Sequence, residues 1–216
     1  GYMKNFHSVT LTDTDDNNLN LLKKNFLQNQ NINIIKSSIK DIEKKFDTII
    51  YFNVLEHIKE DISEIKSALE KLNKGGHLII LVPAHQKMYS KLDKTVGHYK
   101  RYDIDFFNEN RFENSKIIKL HFLDFFGYLL YYLNKVFFKE ETYPSNLKIF
   151  IWDKIFTPIT ILLDFLTAYR FGKNVLCVIK KIEHMNVSRI IYTDINKLIN
   201  ILELKNKKNK NNVVFN

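Results

Sequence analysis

Phe46-Asp47-Thr48-Ile49-Ile50-Tyr51-Phe52-Asn53-Val54-Leu55-Glu56-His57 is followed by Leu72-Asn73-Lys74-Gly75-Gly76-His77-Leu78-Ile79-Ile80-Leu81-Val82-Pro83. After Asp47 the first run is apolar on both faces, as expected of a parallel strand covered by helices on two sides. The second run repeats that pattern from His77 to Val82. Between them, Asp61 to Leu72 places Ile62, Ile65, Leu69 and Leu72 on one helical face. Asp61 and Glu64 form a capping-type start, and Gly75-Gly76 reads as its stop. Strand, crossover helix, glycine turn and strand are the middle of a nucleotide-binding type α/β sheet.

The same alternation continues outward. Ser8 to Thr12 is a β-branched strand entering the acidic loop Asp13-Thr14-Asp15-Asp16, and Asn17 to Phe26 is a helix with Leu19, Leu22 and Phe26 on one side. Ile32 to Ile35 is a further strand. Ala84 to Asp103 is polar and aperiodic, a long loop with one helical turn, and long loops in compact domains are usually functional or disordered. Ser115 to His121 and Asn174 to Lys180 read as the last two strands. Between them, Leu123 to Phe138 and Leu147 to Phe171 are apolar helical segments split near Pro144, interrupted by too many charges to span a bilayer. Thr193 to Leu204 reads as a short amphipathic helix and Lys205 to Asn216 as a disordered tail. The expected organisation is one domain over 1–181, with a helical cover over about 123–171, and a C-terminal helix and basic tail over 182–216.

Composition narrows the partners. There are 33 Lys plus Arg against 24 Asp plus Glu, a net charge of +9, which favours anionic surfaces. Only Arg101, Arg111, Arg170 and Arg189 are arginine, whereas readers of nucleic acid favour arginine's bidentate fork. No nucleic-acid partner is expected. Cys177 is the sole cysteine, so no intrachain disulfide forms. Gly1 to Lys24 lacks an apolar signal-peptide core, which gives a cytoplasmic expectation, with membrane association left open.

In a doubly wound parallel sheet, ligands bind outside the carboxyl ends of the strands. Asp13 stands where a carboxylate could accept both hydroxyls of a ribose, or simply cap the next helix. Ser38 and Ile39 follow the next strand, where an adenine edge could be read. Asn53 ends the strand quoted first. In the loop after Pro83, His98 and His85 are candidate proton acceptors for a hydroxyl. Tyr89 and Tyr102 are candidate substrate contacts, and Arg101 a clamp for a carboxylate or phosphate. The alternative for His98 and Arg101 is that they stitch this loop to the domain. No metal ligand set is assigned.

Phe-Asp at a strand start, Val-Leu-Glu-His-Ile at its end, then Leu-Asn-Lys-Gly-Gly before an apolar strand ending Val-Pro-Ala, resemble class I S-adenosylmethionine-dependent methyltransferases. The small-molecule and sugar- or lipid-associated members are the most similar. The resemblance spans roughly Ser8 to Lys181 and implies an α/β, doubly wound, Rossmann-like and mostly parallel sheet with a helical insertion before the last strand. It implies S-adenosylmethionine as cofactor, with its ribose near Asp13, its adenine near Ser38 and Ile39, its methionine portion near Asn53, and Leu55 as a wall. Serine at 38 departs from the aspartate common there, and Glu56 and His57 are more often structural in this family. The loop from His85 to Tyr102 also resembles a subset of these enzymes.

The family's first strand and glycine-rich turn have no counterpart before Ser8, since only the seven residues Tyr2 to Ser8 separate Gly1 from Val9. The sheet is therefore expected to be N-terminally incomplete, with a central gap between the strands at Val9 and Ile49. Either those strands pair directly, or another segment or chain fills the gap. The implied function is methyl transfer to oxygen on a small-molecule or lipid-linked acceptor, with poor cofactor affinity expected of this chain alone. The alternative is a non-catalytic methyltransferase-like interaction module. Phe125, Phe126, Tyr128, Leu129, Tyr131, Tyr132, Phe137 and Phe138, with Lys135 and Lys139 nearby, suggest peripheral membrane contact as one form of it.

Overall fold

A computed structural model describes residues 7–26, 28–110, 112–137 and 156–182. The expected helix at 193–204, the tail after it and residues 147–155 of the second cover helix lie outside the described residues. In chain order the elements are β1 (Val9–Asp13), α1 (Asp16–Phe26), β2 (Ile32–Lys36), β3 (Phe46–Phe52), α2 (Asp61–Glu70) and β4 (Leu72–Pro83). They continue with α3 (Lys91–Thr95), α4 (Ile104–Glu109), β5 (Ser115–Leu123), α5 (Phe125–Phe137), α6 (Thr157–Leu166) and β6 (Asn174–Lys181).

The strands form two sheets. β1 pairs in parallel with β2, and a four-stranded sheet has the order β3-β4-β6-β5. Direct pairing of β1 with β3 is therefore excluded among the described residues. β3 runs parallel to β4, but β6 lies antiparallel between β4 and β5. The sheet is mixed rather than mostly parallel, because an apolar run carries no sign of strand direction, and β3, read as covered on both sides, is exposed at Ile50 and Phe52.

Gly75-Gly76 does not end a helix. α2 stops at Glu70, β4 begins at Leu72, and the glycines form a bulge where the partners jump from Phe46↔Leu72 to Thr48↔His77. Gly75 has φ +76°, and a Cβ on Gly76 would sit 2.9 Å from the Asp47 carbonyl oxygen, so only glycine fits there. Leu72 thus belongs to a strand, and Ile62 is exposed while Ile65, Ala68 and Leu69 carry the buried face of α2. The carboxylate at the start of α2 caps nothing three residues on; Asp61 Oδ1 accepts instead from the Ile62 amide.

One face of the large sheet is filled. Ile49, Leu78, Ile80, Val82, Val175, Cys177 and Ile179 form a core with Ile65, Ala68, Leu69 and, from the segment after β2, Ile39 and Ile42. Burial pushes the Cys177 thiol up to about 12, so this cysteine is an inert core group. On the opposite face, Ile50 and Phe52 of β3 are exposed. α5 and α6 pack on one another, and the buried Asp164 of α6 accepts from the Asp124 and Phe125 amides, capping the start of α5. Of the aromatics of α5, Phe125 packs against Phe171, Phe126 against Phe156, and Tyr128 against His85. Among the described side chains of the two helices, exposed apolar surface includes Leu129 of α5 and Ile161, Leu162, Phe165 and Leu166 of α6. No helix among the described residues is long and apolar enough to cross a membrane.

Candidate active site

The chain after β4 leaves the sheet and returns to its starting point. Ala84 bridges Tyr102, the Tyr102 amide donates to the Pro83 carbonyl (2.9 Å), and the His85 amide donates to the Tyr102 carbonyl (3.0 Å). Everything from His85 to Arg101 is thereby one excursion closed at its neck. Within it, Ser90 and Asp93 form a capping box at the start of α3. A box of this kind usually faces solvent. This one is buried because Asp93 also receives Arg101 Nε at 3.0 Å on both oxygens and His98 Nδ1 at 2.9 Å.

Burial alone would raise the Asp93 pKa, but Arg101, His98 and Ser90 outweigh it and hold the carboxyl below the usual range. The accepting carboxylate also sets the histidine tautomer. Nδ1 of His98 carries the proton and Nε2 is left bare. Tyr89 donates its hydroxyl to the His98 carbonyl (2.6 Å), fixing the backbone of the same residue.

Arg101 is not available as a substrate clamp. Its guanidinium is spent on Asp93, it lies over the Tyr131 ring at 4.9 Å, and its amide donates to Gln86 Oε1. Of the two readings of this residue, stitching the loop to the domain fits. Tyr102 is likewise a core residue rather than a substrate contact: it is fully buried, with its hydroxyl between Asp61 Oδ2 (2.8 Å) and the Leu55 carbonyl (3.1 Å). His85 sits apart from His98. Its Nε2 lies 2.8 Å from the Gly172 carbonyl, and its ring stacks on Phe122. His85 has φ 64° at the end of β4, a costly conformation for a non-glycine residue that clusters at functional turns.

The other side of the site begins at the end of β3. Asn53 has φ 51°, which swings the chain into the turn Leu55–His57. Glu56 is buried in that turn, and its carbonyl accepts from the Tyr99 amide (2.8 Å), tying the turn to the excursion. Burial first, and Asp93 after it, push the Glu56 carboxyl up to about 7. His57 is lowered by burial and by the neighbouring His98. The two imidazoles meet edge to face, with centroids 4.6 Å apart. Asp93 was not a candidate from sequence, and Glu56 and His57 were read there as more often structural than in contact with substrate. Ser90-x-x-Asp93 was the one legible signal, because a capping box announces a fixed carboxylate; Glu56-His57 gave none, since burial of an acidic side chain has no local pattern.

Asp13 ends β1 with both oxygens in use: Oδ1 accepts from the Asp15 amide (2.8 Å) and Oδ2 from Asn18 Nδ2 (3.0 Å). Each oxygen keeps a further lone pair. Ser38 donates its hydroxyl to Asp41 Oδ2 (2.7 Å). Ile39 and Leu55 are buried core side chains, so Leu55 packs into the core instead of walling a site, and what either offers a ligand is backbone.

Residues 2–120, more than half of the 216, match the family described as methyltransferase domain. The chain belongs to the class I S-adenosylmethionine-dependent methyltransferases. No curated protein matches this methyltransferase domain in sequence. Solved structures agree on the fold. The methyltransferase partner of the Haloferax volcanii Trm112 activator aligns at TM-score 0.53 and 9% identity, over 84% of this chain and 74% of that one. A protein described as a sarcosine dimethylglycine methyltransferase of Galdieria sulphuraria aligns at 0.52 and 12%, over 81% and 70%. A Bacillus halodurans protein of the same description class, methyltransferase, aligns at 0.50 and 12%, over 82% and 84%.

Set against a nucleoside cofactor, the residues of this methyltransferase domain fit in part. The spare acceptor capacity of Asp13 suits a ribose diol, and the left-handed turn at Asn53 exposes backbone at the end of β3. Ser38 can present its oxygen as an acceptor while its proton stays with Asp41.

Proposed function

We propose that this domain transfers a methyl group to a hydroxyl of a small or lipid-linked acceptor. The supporting observation is the Asp93–His98 pair at 2.9 Å, which leaves the other imidazole nitrogen bare, 4.0 Å from Glu56 Oε1 of the turn after β3. S-adenosylmethionine supplies an electrophilic methyl carbon on a sulfonium. Asp13, Ser38 and Asn53 would hold its nucleoside and methionine parts through hydrogen bonds. His98 Nε2 would orient the acceptor hydroxyl and take its proton. Tyr89 and Asp93 keep the imidazole in place.

The gap between β1 and β3 belongs to the same proposal. Two sheets with no shared ladder among the described residues, with β3 at the end of its sheet, favour a further strand between them. Titration calorimetry with S-adenosylhomocysteine tests the reading. A weak or absent heat here, with saturable binding once a strand for that gap is supplied by a longer chain, supports it. No binding by either form overturns it.

A second reading rests on α6. Its exposed Ile161, Leu162, Phe165 and Leu166, on a chain of net charge +9, favour a membrane-surface module. Salt-sensitive flotation with anionic vesicles, abolished by Phe165→Asp with Leu166→Asp, supports that reading; flotation unaffected by the substitutions removes it.

A further inference from the structure

We propose that Glu56, His57 and His98 form a binding site for one divalent transition-metal ion of the zinc type. One ligand atom from each of the three lies within 4.8 Å of the others. Donors around a tetrahedral zinc at ~2.0–2.2 Å stand ~3.4 Å apart, so closure requires a contraction of about one ångström, within reach of side-chain rotation.

The carboxylate of Glu56 makes the case more than the proximity does. It is 1% exposed, and neither oxygen has a hydrogen-bond partner among the described residues. A buried polar group left unpaired costs about 1–3 kcal/mol, and more when charged. His98 Nε2 stands 4.0 Å from Glu56 Oε1, too far for a hydrogen bond. Protonating Glu56 does not resolve this, because a neutral carboxyl then holds a donor with no acceptor. A cation between the three groups does.

The surroundings are those of a metal site. A ligating histidine commonly donates its second nitrogen to a carboxylate, which fixes the tautomer and raises the basicity of the ligating one. His98 does this with Asp93 at 2.9 Å, and Asp93 is held in turn by Ser90 and Arg101. His57 is exposed, which gives an ion a route in from solvent. Two imidazoles and one carboxylate suit zinc, cobalt or manganese; magnesium and calcium prefer oxygen alone.

Three protein ligands leave a coordination position open, the arrangement of catalytic rather than structural sites. Its use rests on the methyl-transfer reading, whereas ion binding itself does not. An acceptor hydroxyl bound there would lose its proton to solvent at a lower pH. The lone pair of His98 would then be a ligand, and the ion would replace the imidazole as the activating group.

The full chain, stripped with chelator and dialysed, is titrated with Co²⁺ followed by visible d–d absorption, and with Zn²⁺ by calorimetry. One ion per chain is expected, with a rise in melting temperature. His57→Ala is expected to weaken binding beyond about 100-fold and bleach the cobalt spectrum, while Asp93→Asn weakens it ~10–100-fold. His57 is exposed, so its variant keeps the fold; Glu56→Gln, nearly isosteric, is the second variant and is expected to behave as His57→Ala. No stoichiometric binding by the native chain, or native binding by both variants, overturns the site. Titration of the longer, gap-filled chain with S-adenosylhomocysteine separates the two proposals: no binding there with ion binding intact counts against methyl transfer alone, and the reverse against the metal site alone.

Discussion

Asp13 and Asp93 are both aspartates at the mouth of the fold, and they are held in opposite ways. Asp13 is satisfied by groups two and five residues along the chain, at the surface, with lone pairs to spare. Asp93 is 3% exposed and is filled by Ser90, His98 and Arg101. The first can exchange a local partner for a ligand at little cost. The second has no room for one, and its work is to position His98. A carboxylate that binds and a carboxylate that orients therefore differ less in residue type than in who already occupies their oxygens.

The largest effect expected from breaking this contrast comes from Asp93→Asn. Removing the charge strands Arg101 in a buried position, at about 3–5 kcal/mol, read as a fall in the urea midpoint at neutral pH. The acid side gives the sign. Because the native pKa of Asp93 is lowered from 3.8, its contribution stands above that value and disappears as pH falls through the depressed one. The variant should lose stability at neutral pH and lose part of the acid slope; an unchanged midpoint at pH 7 would make the buried network energetically idle.

Tyr102→Phe comes next. It deprives the Leu55 carbonyl and Asp61 of a buried donor, while Asp61 keeps Lys100 and the Ile62 amide. A loss of about 1–3 kcal/mol is expected. If the variant is fully stable and instead binds substrate poorly, the tyrosine belongs to the site after all.

The same contrast decides what could be read from sequence. Phe46–Phe52 was legible to the residue because a β-branched and aromatic run with a polar start has one reading. The end of β1 at Asp13 and the end of β3 before Asn53 were legible as strand ends, the places where such folds bind ligands. The direction of β6 was not, since an apolar run reads the same in an antiparallel strand as in a parallel one. Nor was the role of Arg101, which depends on Asp93 eight residues earlier being folded under it. Ile39 and Leu55 were placed correctly along the chain, but which side of a strand end faces the core is set by α2 and the turn after β2, not by the residues themselves.

Asp13→Ala is expected to cost the fold less than about 1 kcal/mol, the scale of a lost cap. Its effect should appear in binding. A charge-assisted hydrogen bond is worth about 1.5–3 kcal/mol, so affinity for S-adenosylhomocysteine in a binding-competent form should fall roughly 10–100-fold. A stability loss as large as that of Asp93→Asn, with binding unchanged, would place Asp13 with the orienting carboxylates.

Ser38→Ala should be the mildest. The hydroxyl is near the surface and donates to Asp41, whose side chain is itself solvated, so water can replace it and the stability change should stay within ~0.5 kcal/mol. If Ser38 offers a neutral acceptor to the adenine amine, affinity should fall only a few-fold, since a neutral hydrogen bond is worth about 0.5–1.5 kcal/mol. Ser38→Asp sharpens the comparison: a second carboxylate would stand where the serine oxygen is 2.7 Å from Asp41, and the repulsion should turn one of the two toward the ligand. Tighter nucleoside binding in Ser38→Asp than in the native chain would show that this rim, like Asp13, holds its polar groups loosely enough to be recruited. Loss of binding in Ser38→Asp with none in Ser38→Ala would show that the Asp41 partnership is as fixed as the one around Asp93, and the contrast between the two sides would fail at this residue.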